Sequence, residues 1–272
     1  MELPGEFDIN KVVDLNKKRV ECWEDTHNLN LSLFSKIEES TKYCKIPDII
    51  YSKMYDRTML EIVNMDTIDC ALNKPSVSAP TLILNMADDK IPGGFVNQGS
   101  PAQEEEIFRR TNLELTLKYD LYPLEYHDII YSPDVVVYKN SKYERIAPVQ
   151  ISVITSPGLR HPQLIDGLLT EDDKTLMSNK IKMLLNTAIN NGHKIIVLGA
   201  HGCGAWKCPP EQIATIFKNV LQPYNKHFYK IYFAIIGENY EIFKQVFSGK
   251  SLPKLIKPTE PIEIEKPKII EI

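Results

Sequence analysis

The stretch KIIVLGAHGCGAWKCPPEQ, Lys194 to Gln212, decides the fold. Its first part, KIIVLGA (194–200), is apolar without alternation, as in a strand buried on both faces of a parallel sheet. Glycines follow at 199, 202 and 204. Pro209-Pro210 then opens a helix over 209–222, since proline is tolerated in a first turn. Strand, glycine loop and helix form the repeating unit of a layered α/β protein. The loop falls at the carboxyl end of its strand, where such folds bind ligands.

Working outward, TLILNM (81–86) is a second non-alternating apolar run. LEIVN (60–64), DIIYS, DVVVYKN, VQISVIT (149–155) and YKIYFAII (229–236) read as further strands, with Ser132-Pro133 separating DIIYS from DVVVYKN. Asp66 is placed to cap a short helix. Helices are expected over 172–191, with Leu176, Ile181, Leu184, Leu185 and Ile189 inward, and over 238–248. Residues 59–250 form the expected core. Residues 1–58 read as a helical extension packed on it, through positions such as Val12, Val13, Val20, Trp23, Leu29, Leu33 and Ile37. The segment 251–272 has four prolines and no helical period, and reads as a linker or loosely attached tail.

At 272 residues the chain can bury a large core. A net charge of −4 advertises neither nucleic acid nor a membrane surface, so an anionic ligand must be held by local donors. No run approaches the ~18 apolar residues of a membrane span, and the first residues lack the pattern of a secretory signal. Five irregularly spaced cysteines read as reduced thiols of a cytoplasmic or nuclear protein.

The segment KIPGGFVNQGSPAQEEE (90–106) raises a question of charge. Ser100-Pro101-Ala102-Gln103 has the form of a capping box, which starts a helix near Ser100 and extends it to about Tyr119. Glu104 and Glu105 then lie in its first turns, where the helix dipole favours carboxylates. Glu105–Arg109 and Glu106–Arg110 are four apart and suit surface ion pairs. Glu104 shares a stripe with Phe108, Thr111 and Leu115, so it leans toward the apolar side and needs partners. The residues alone leave open a solvated run of glutamates or an acidic site. Likewise, the loop at 199–206 is either a phosphate cradle, with Trp206 offering an aromatic face to a ribose or base, or a tight structural turn. No G-x-G-x-x-G occurs, which disfavours a dinucleotide site. His201, Cys203 and Cys208 lack a structural-zinc spacing and a fourth ligand, and no histidine is placed to activate Cys203.

Two loops, each after a buried strand, combine with the glutamates into a more specific pattern. Pro92-Gly93-Gly94-Phe95 precedes Gln103-Glu104-Glu105, and Gly199-Ala200-His201-Gly202-Cys203-Gly204-Ala205-Trp206 follows later. The sequence here resembles the microbial-type poly(ADP-ribose) glycohydrolase family, a branch of the macrodomains. The similarity extends through EIVNMDTIDCA, LILNMADDKIPGG, FRRTNL, IIYSPDVVVYKN and VITSPG. The resemblance implies a three-layer α/β/α macrodomain with a mixed central sheet and an N-terminal helical extension. It implies a hydrolase that binds ADP-ribose and cleaves an O-glycosidic ribose–ribose bond, with no cofactor and no metal. Glu105 would be the catalytic acid, Glu104 would hold ribose hydroxyls and Gln103 would support them. Gly93, Gly94, Phe95 and Asn85 would border the substrate. Gly202, Cys203, Gly204, Ala205 and Trp206 would embrace the diphosphate and distal ribose. The partners implied are ADP-ribose or its polymer on modified proteins, without a membrane or sequence-specific nucleic acid. Phe95 departs from the family's glycine triplet, and Asn97, Gln98 and Gly99 differ from its usual small residues, which keeps open a catalytically weak or inactive ADP-ribose reader. A hydrolase of terminal ADP-ribose on protein or nucleic acid is the other alternative.

Overall fold

A computed structural model describes residues 9–34, 37–73 and 80–249. The expected tail at 251–272 lies outside the described residues. In chain order the elements are α1 (Ile9–Leu33), β1 (Thr41–Tyr43), β2 (Met59–Val63), α2 (Thr67–Asn73), β3 (Thr81–Ala87), α3 (Gln103–Arg110), β4 (Ile129–Lys139), β5 (Arg145–Pro157), α4 (Glu171–Asn190), β6 (Ile195–Leu198), α5 (Pro210–Leu221), β7 (Lys230–Ala234) and α6 (Glu238–Ser248).

The strands form one mixed sheet in the order β1-β4-β5-β3-β6-β7-β2. β5, β3, β6, β7 and β2 run parallel, while β4 pairs antiparallel with both β1 and β5. The apolar runs are explained by helices on both faces. Leu82, Leu84, Ile196 and Leu198 enter the core under α4, α5 and α6, with Ile181, Leu184, Ile213, Phe217 and Phe243. Their neighbours Ile83 and Val197 enter the opposite core with Ile68, Ile107 and Phe108. Alternate side chains of one apolar strand thus serve two cores. The parallel arrangement puts the carboxyl ends of β3, β5 and β6 side by side.

Several local expectations change. DIIYS and DVVVYKN are one strand, β4, with a register shift between Ser132 and Val135. Pro133 sits in that irregularity and Asp134 takes a positive φ of 53°. A bulge is where a strand tolerates proline. α3 ends at Arg110 and does not continue to Tyr119. Thr111 instead bridges to Val137, and Asn112 accepts from the Val136 amide through Oδ1 at 2.8 Å. Sheet contacts thereby replace the helical ones. Residues 41–43, read as helical, supply the edge strand β1.

α1 also packs differently from its apolar pattern. Val12, Val13 and Leu33 are exposed, and the buried positions are Cys22, Thr26 and Asn30. The inward face is small and polar because it serves Lys139, whose Nζ donates to the Cys22 carbonyl at 3.1 Å and to Thr26 Oγ1 at 2.6 Å. Asp25 pairs with the same amine at 2.7 Å. Trp23 packs on Phe108 with ring centres 6.1 Å apart. A Cβ on Gly93 would lie 2.6 Å from that Phe108 ring. α1, α3 and the Gly93 loop therefore form one stack.

Candidate active site

The carboxyl ends of β3, β5 and β6 border a cleft of about 330 Å³. One wall comes from the β3–α3 connection and the first turn of α3. Its members include Asp88, Gly94, Phe95, Gln103, Glu104 and Glu105. The other wall comes from the β6–α5 loop through Gly202, Gly204, Ala205 and Trp206, with Gly158 and Arg160 after β5.

Glu104 is nearly fully buried and accepts three hydrogen bonds. Oε2 takes the Asp88 amide at 2.7 Å; Oε1 takes the Gly93 amide and Asn85 Nδ2 at 3.2 and 3.3 Å. Burial pushes its carboxyl up to about 8; the Glu105 charge adds to the rise, and the Asp88, Asn85 and Gly93 donors oppose it. Glu105 takes one described hydrogen bond, from the Phe95 amide to Oε1 at 3.1 Å. Glu104 is thus fixed through both oxygens, whereas Glu105 keeps its second oxygen for the cleft.

Gln103 does not close a capping box. The N-cap is Ala102, which makes no side-chain cap bond. Gln103 Oε1 accepts from the Met86 amide at 2.8 Å, and Nε2 donates to the Leu84 carbonyl at 2.6 Å and to Thr67 Oγ1 at 3.2 Å. β6 pairs with β3 only at Leu82 and Ile83, so past that point the Gln103 amide replaces a strand partner. This sews the start of α3 to the end of β3. The expected ion pairs also reassign. Glu106 pairs with Arg109 at 2.9 Å and accepts from the Tyr143 hydroxyl at 2.7 Å. Arg110 turns inward to Asp66 and Asp69. Asp66 Oδ1 also accepts from the Ile68 and Asp69 amides at the start of α2, as read from the sequence.

The glycines have distinct tasks. Gly94 has φ 52°, and a Cβ there would stand 2.8 Å from Glu105 Oε1. Gly93 lies behind the wall, where only a missing side chain admits Phe108. Phe95 has φ −106°, ordinary for a side-chain residue, so the third place of the glycine motif needs no glycine here. Its ring is exposed at the cleft. Tyr131 is a buried core residue, hydrogen-bonded to His193 at 2.9 Å.

In the opposite wall Gly202 has φ 77°, and a Cβ on Gly158 would stand 2.8 Å from Gly202 Cα. The two loops therefore touch backbone to backbone. Among the described hydrogen bonds, the amides of Gly202, Gly204, Ala205 and Trp206 donate to no protein acceptor. Cys203 turns its thiol inward, toward the His201 carbonyl at 3.7 Å, and burial pushes that thiol well above its usual range. Burial lowers His201 to about 4, so its neutral ring donates from Nε2 to the Ser156 carbonyl at 2.9 Å. These orientations give His201, Cys203 and Cys208 structural contacts. Among the described residues no group of three His, Cys, Asp or Glu side chains converges to hold a metal ion.

Of the residues expected at the substrate, Asn85, Gly93 and Cys203 thus lie behind the walls. Asn85 is fully buried and steadies Glu104, while Nδ2 also donates to Thr155 at 3.3 Å. The cleft adds Arg160, which the sequence reading missed. Its guanidinium lies 4.7 Å from the Trp206 ring centre and pairs with Asp88 at 2.6 Å, and with Asp89. The only sequence hint was the Ser156-Pro157-Gly158 turn at the end of a buried strand.

Fold and site define a macrodomain-like α/β protein whose cleft sets two buried carboxyls against a glycine loop with four amides unpaired among the described hydrogen bonds. Residues 7–140, which include both glutamates, match the family described as "Microbial-type PARG, catalytic domain". Over these residues, just under half of the chain, the sequence is similar to the microbial-type poly(ADP-ribose) glycohydrolase family. Its fold is similar to poly(ADP-ribose) glycohydrolase from Thermomonospora curvata, with TM-score 0.77 and 20% identity over 85% of this chain and 100% of that one. The same enzyme bound to the inhibitor ADP-HPD superposes with TM-score 0.73 and 20% identity, covering 84% and 99% of the two chains. A Deinococcus radiodurans poly(ADP-ribose) glycohydrolase in complex with ADP-ribose gives TM-score 0.64 and 20% identity, covering 92% and 99%. No curated protein sequence matches the chain.

Proposed function

We propose that the protein is a poly(ADP-ribose) glycohydrolase-type glycosidase that binds ADP-ribose in this cleft and cleaves the ribose–ribose bond of its polymer. One observation carries the reading: the Glu104–Glu105 pair lines the same cleft as Gly202, Gly204, Ala205 and Trp206, whose amides have no acceptor among the described hydrogen bonds. The amides suit a diphosphate, because main-chain N–H groups on a glycine loop approach phosphate closely. Trp206 and Phe95 offer ring faces to the sugar and base.

Bond breaking at an anomeric carbon requires a proton on the leaving oxygen, relief of positive charge at the ring and attack by water. Glu105, with an oxygen free, delivers the proton to the leaving oxygen and recovers one from the attacking water. Glu104, held by three donors, accepts from ribose hydroxyls and keeps the sugar in register. Gln103 and Asn85 act through Glu104 as positioning residues. The substrates are ADP-ribose chains on modified proteins, recognised through the nucleotide rather than a nucleic-acid sequence. The alternative of a catalytically weak or non-cleaving reader rested on Phe95 and on Asn97, Gln98 and Gly99; the ordinary φ of Phe95 removes one of these motives.

Glu105→Gln should lower hydrolysis of the polymer by about 10²–10⁴-fold while ADP-ribose affinity stays within about tenfold. Turnover of this variant at the wild-type rate, measured by ADP-ribose release, removes the assignment.

A further inference from the structure

Among the described residues lining the cleft, Arg160 is the one lysine or arginine. A cation in that place suggests a phosphate ligand, but its bonds argue for a different task. Nε donates to Asp89 Oδ1 at 2.7 Å and Nη2 donates to Asp88 Oδ2 at 2.6 Å, so two carboxylates meet the charge before any ligand arrives. Its carbon Cζ also lies over the Trp206 ring, 4.7 Å from the centre. A fork onto carboxylates combined with stacking on a ring is what arginine offers and lysine does not. A lone exposed ion pair would hold little, whereas this fork joins a network whose aspartates are mostly buried.

The contacts reach different walls. Asp88 belongs to the glutamate wall. Its amide holds Glu104 Oε2 at 2.7 Å, and its Oδ1 accepts from the Lys90 and Ile91 amides at 2.7 and 3.2 Å, which sets the turn leading into Gly93 and Gly94. Trp206 belongs to the opposite wall, and its ring is seated on the segment after β5, since a Cβ on Gly158 would lie 3.4 Å from Trp206 Cε3. We propose that Arg160 is a positioning residue that clasps the two walls at one separation, and so makes the cleft select ligands that engage both walls at once. This rests on the proposed glycohydrolase reading, in which the diphosphate lies on the Gly202–Trp206 loop and the terminal ribose lies at Glu104 and Glu105. ADP-ribose spans the gap. ADP lacks the terminal ribose, so a fixed gap gives it no advantage.

The test titrates the full chain with ADP-ribose and with ADP by calorimetry. Arg160→Met keeps the length of the side chain and removes the fork; it should weaken ADP-ribose about tenfold and ADP by no more than about twofold. Arg160→Lys keeps the charge without fork or stack, and should stay within about threefold of Arg160→Met for ADP-ribose. Asp88→Asn should cost ADP-ribose affinity at least about threefold alone but less than about twofold once Arg160→Met is present, because both changes open the same clasp. An equal loss for both ligands marks a direct phosphate contact or a collapsed cleft, and overturns the clasp. So do wild-type affinity in Arg160→Met, full recovery in Arg160→Lys, and additive losses in the double variant. Failure of ADP-ribose to bind the unaltered chain overturns the parent reading instead, and the clasp with it.

Discussion

The two walls of the cleft are both glycine-bearing loops after buried parallel strands, yet they handle their backbone donors in opposite ways. Between Asp88 and Glu105, amides are committed to protein carboxylates: Asp88 and Gly93 to Glu104, and Phe95 to Glu105. Between Gly202 and Trp206, four amides have no protein acceptor among the described hydrogen bonds. The first wall fixes acids in place and the second keeps donors for an anion. Similar sequence texture thus serves positioning on one side and binding on the other.

The contrast is broken most forcefully at Gly94. Ala there meets both a positive φ and the Glu105 carboxylate, so the acid must move. Gly94→Ala should lower kcat about 10²-fold, the cost of roughly 1 Å of misplacement. Steady-state hydrolysis at saturating polymer reads it, and an unchanged kcat would show that the wall does not position Glu105. On the binding wall, Gly158→Ala collides with Gly202 and should raise KM about tenfold with kcat nearly constant. A loss in kcat alone would abolish the division of labour.

Glu104 sharpens the comparison through pH. Its folded pKa of about 8 lies above the ordinary carboxyl value, so the folded state holds a proton that the unfolded chain releases at lower pH. That contribution favours folding at acid pH and is lost as pH rises through the window up to about 8. Glu104→Gln should flatten this part of a denaturation-versus-pH profile; an unaltered slope would place the titration elsewhere. The smallest effect is expected at Phe95. Phe95→Gly restores the glycine triplet but adds freedom to an unfolded chain, which costs roughly 0.5–1 kcal/mol in urea melts. It should give no gain in turnover, and a gain would mean that the ring obstructs the sugar.

Much of this was legible because apolar runs such as Ile195–Leu198 and Thr81–Met86 have one reading once helices flank them. The placement of Glu104 and Glu105 in a first helical turn was legible too, from spacing after a proline. What escaped depended on contacts distant in sequence. Gln103 has the composition of a capping residue, but nothing local says that a strand one partner short lies beside it. Arg110 was read with Glu106, its neighbour on the helix, and its true partners are 44 and 41 residues away. α1 gave an imperfect apolar period because its inward face answers a buried lysine, and burial of charge leaves no hydrophobic signature. Arg160 was invisible because its partners Asp88, Asp89 and Trp206 are far from it in the chain.

Lys139 sits at the base of that arrangement, and its role reaches further than its location suggests. Its amine ties α1 to the sheet through the Cys22 carbonyl, the Thr26 hydroxyl and the Asp25 carboxylate together. Trp23 would leave with the helix, freeing Phe108 and then the turn beneath the acids. Warming should therefore extinguish turnover at the temperature where α1 peels off, while the seven strands are still assembled.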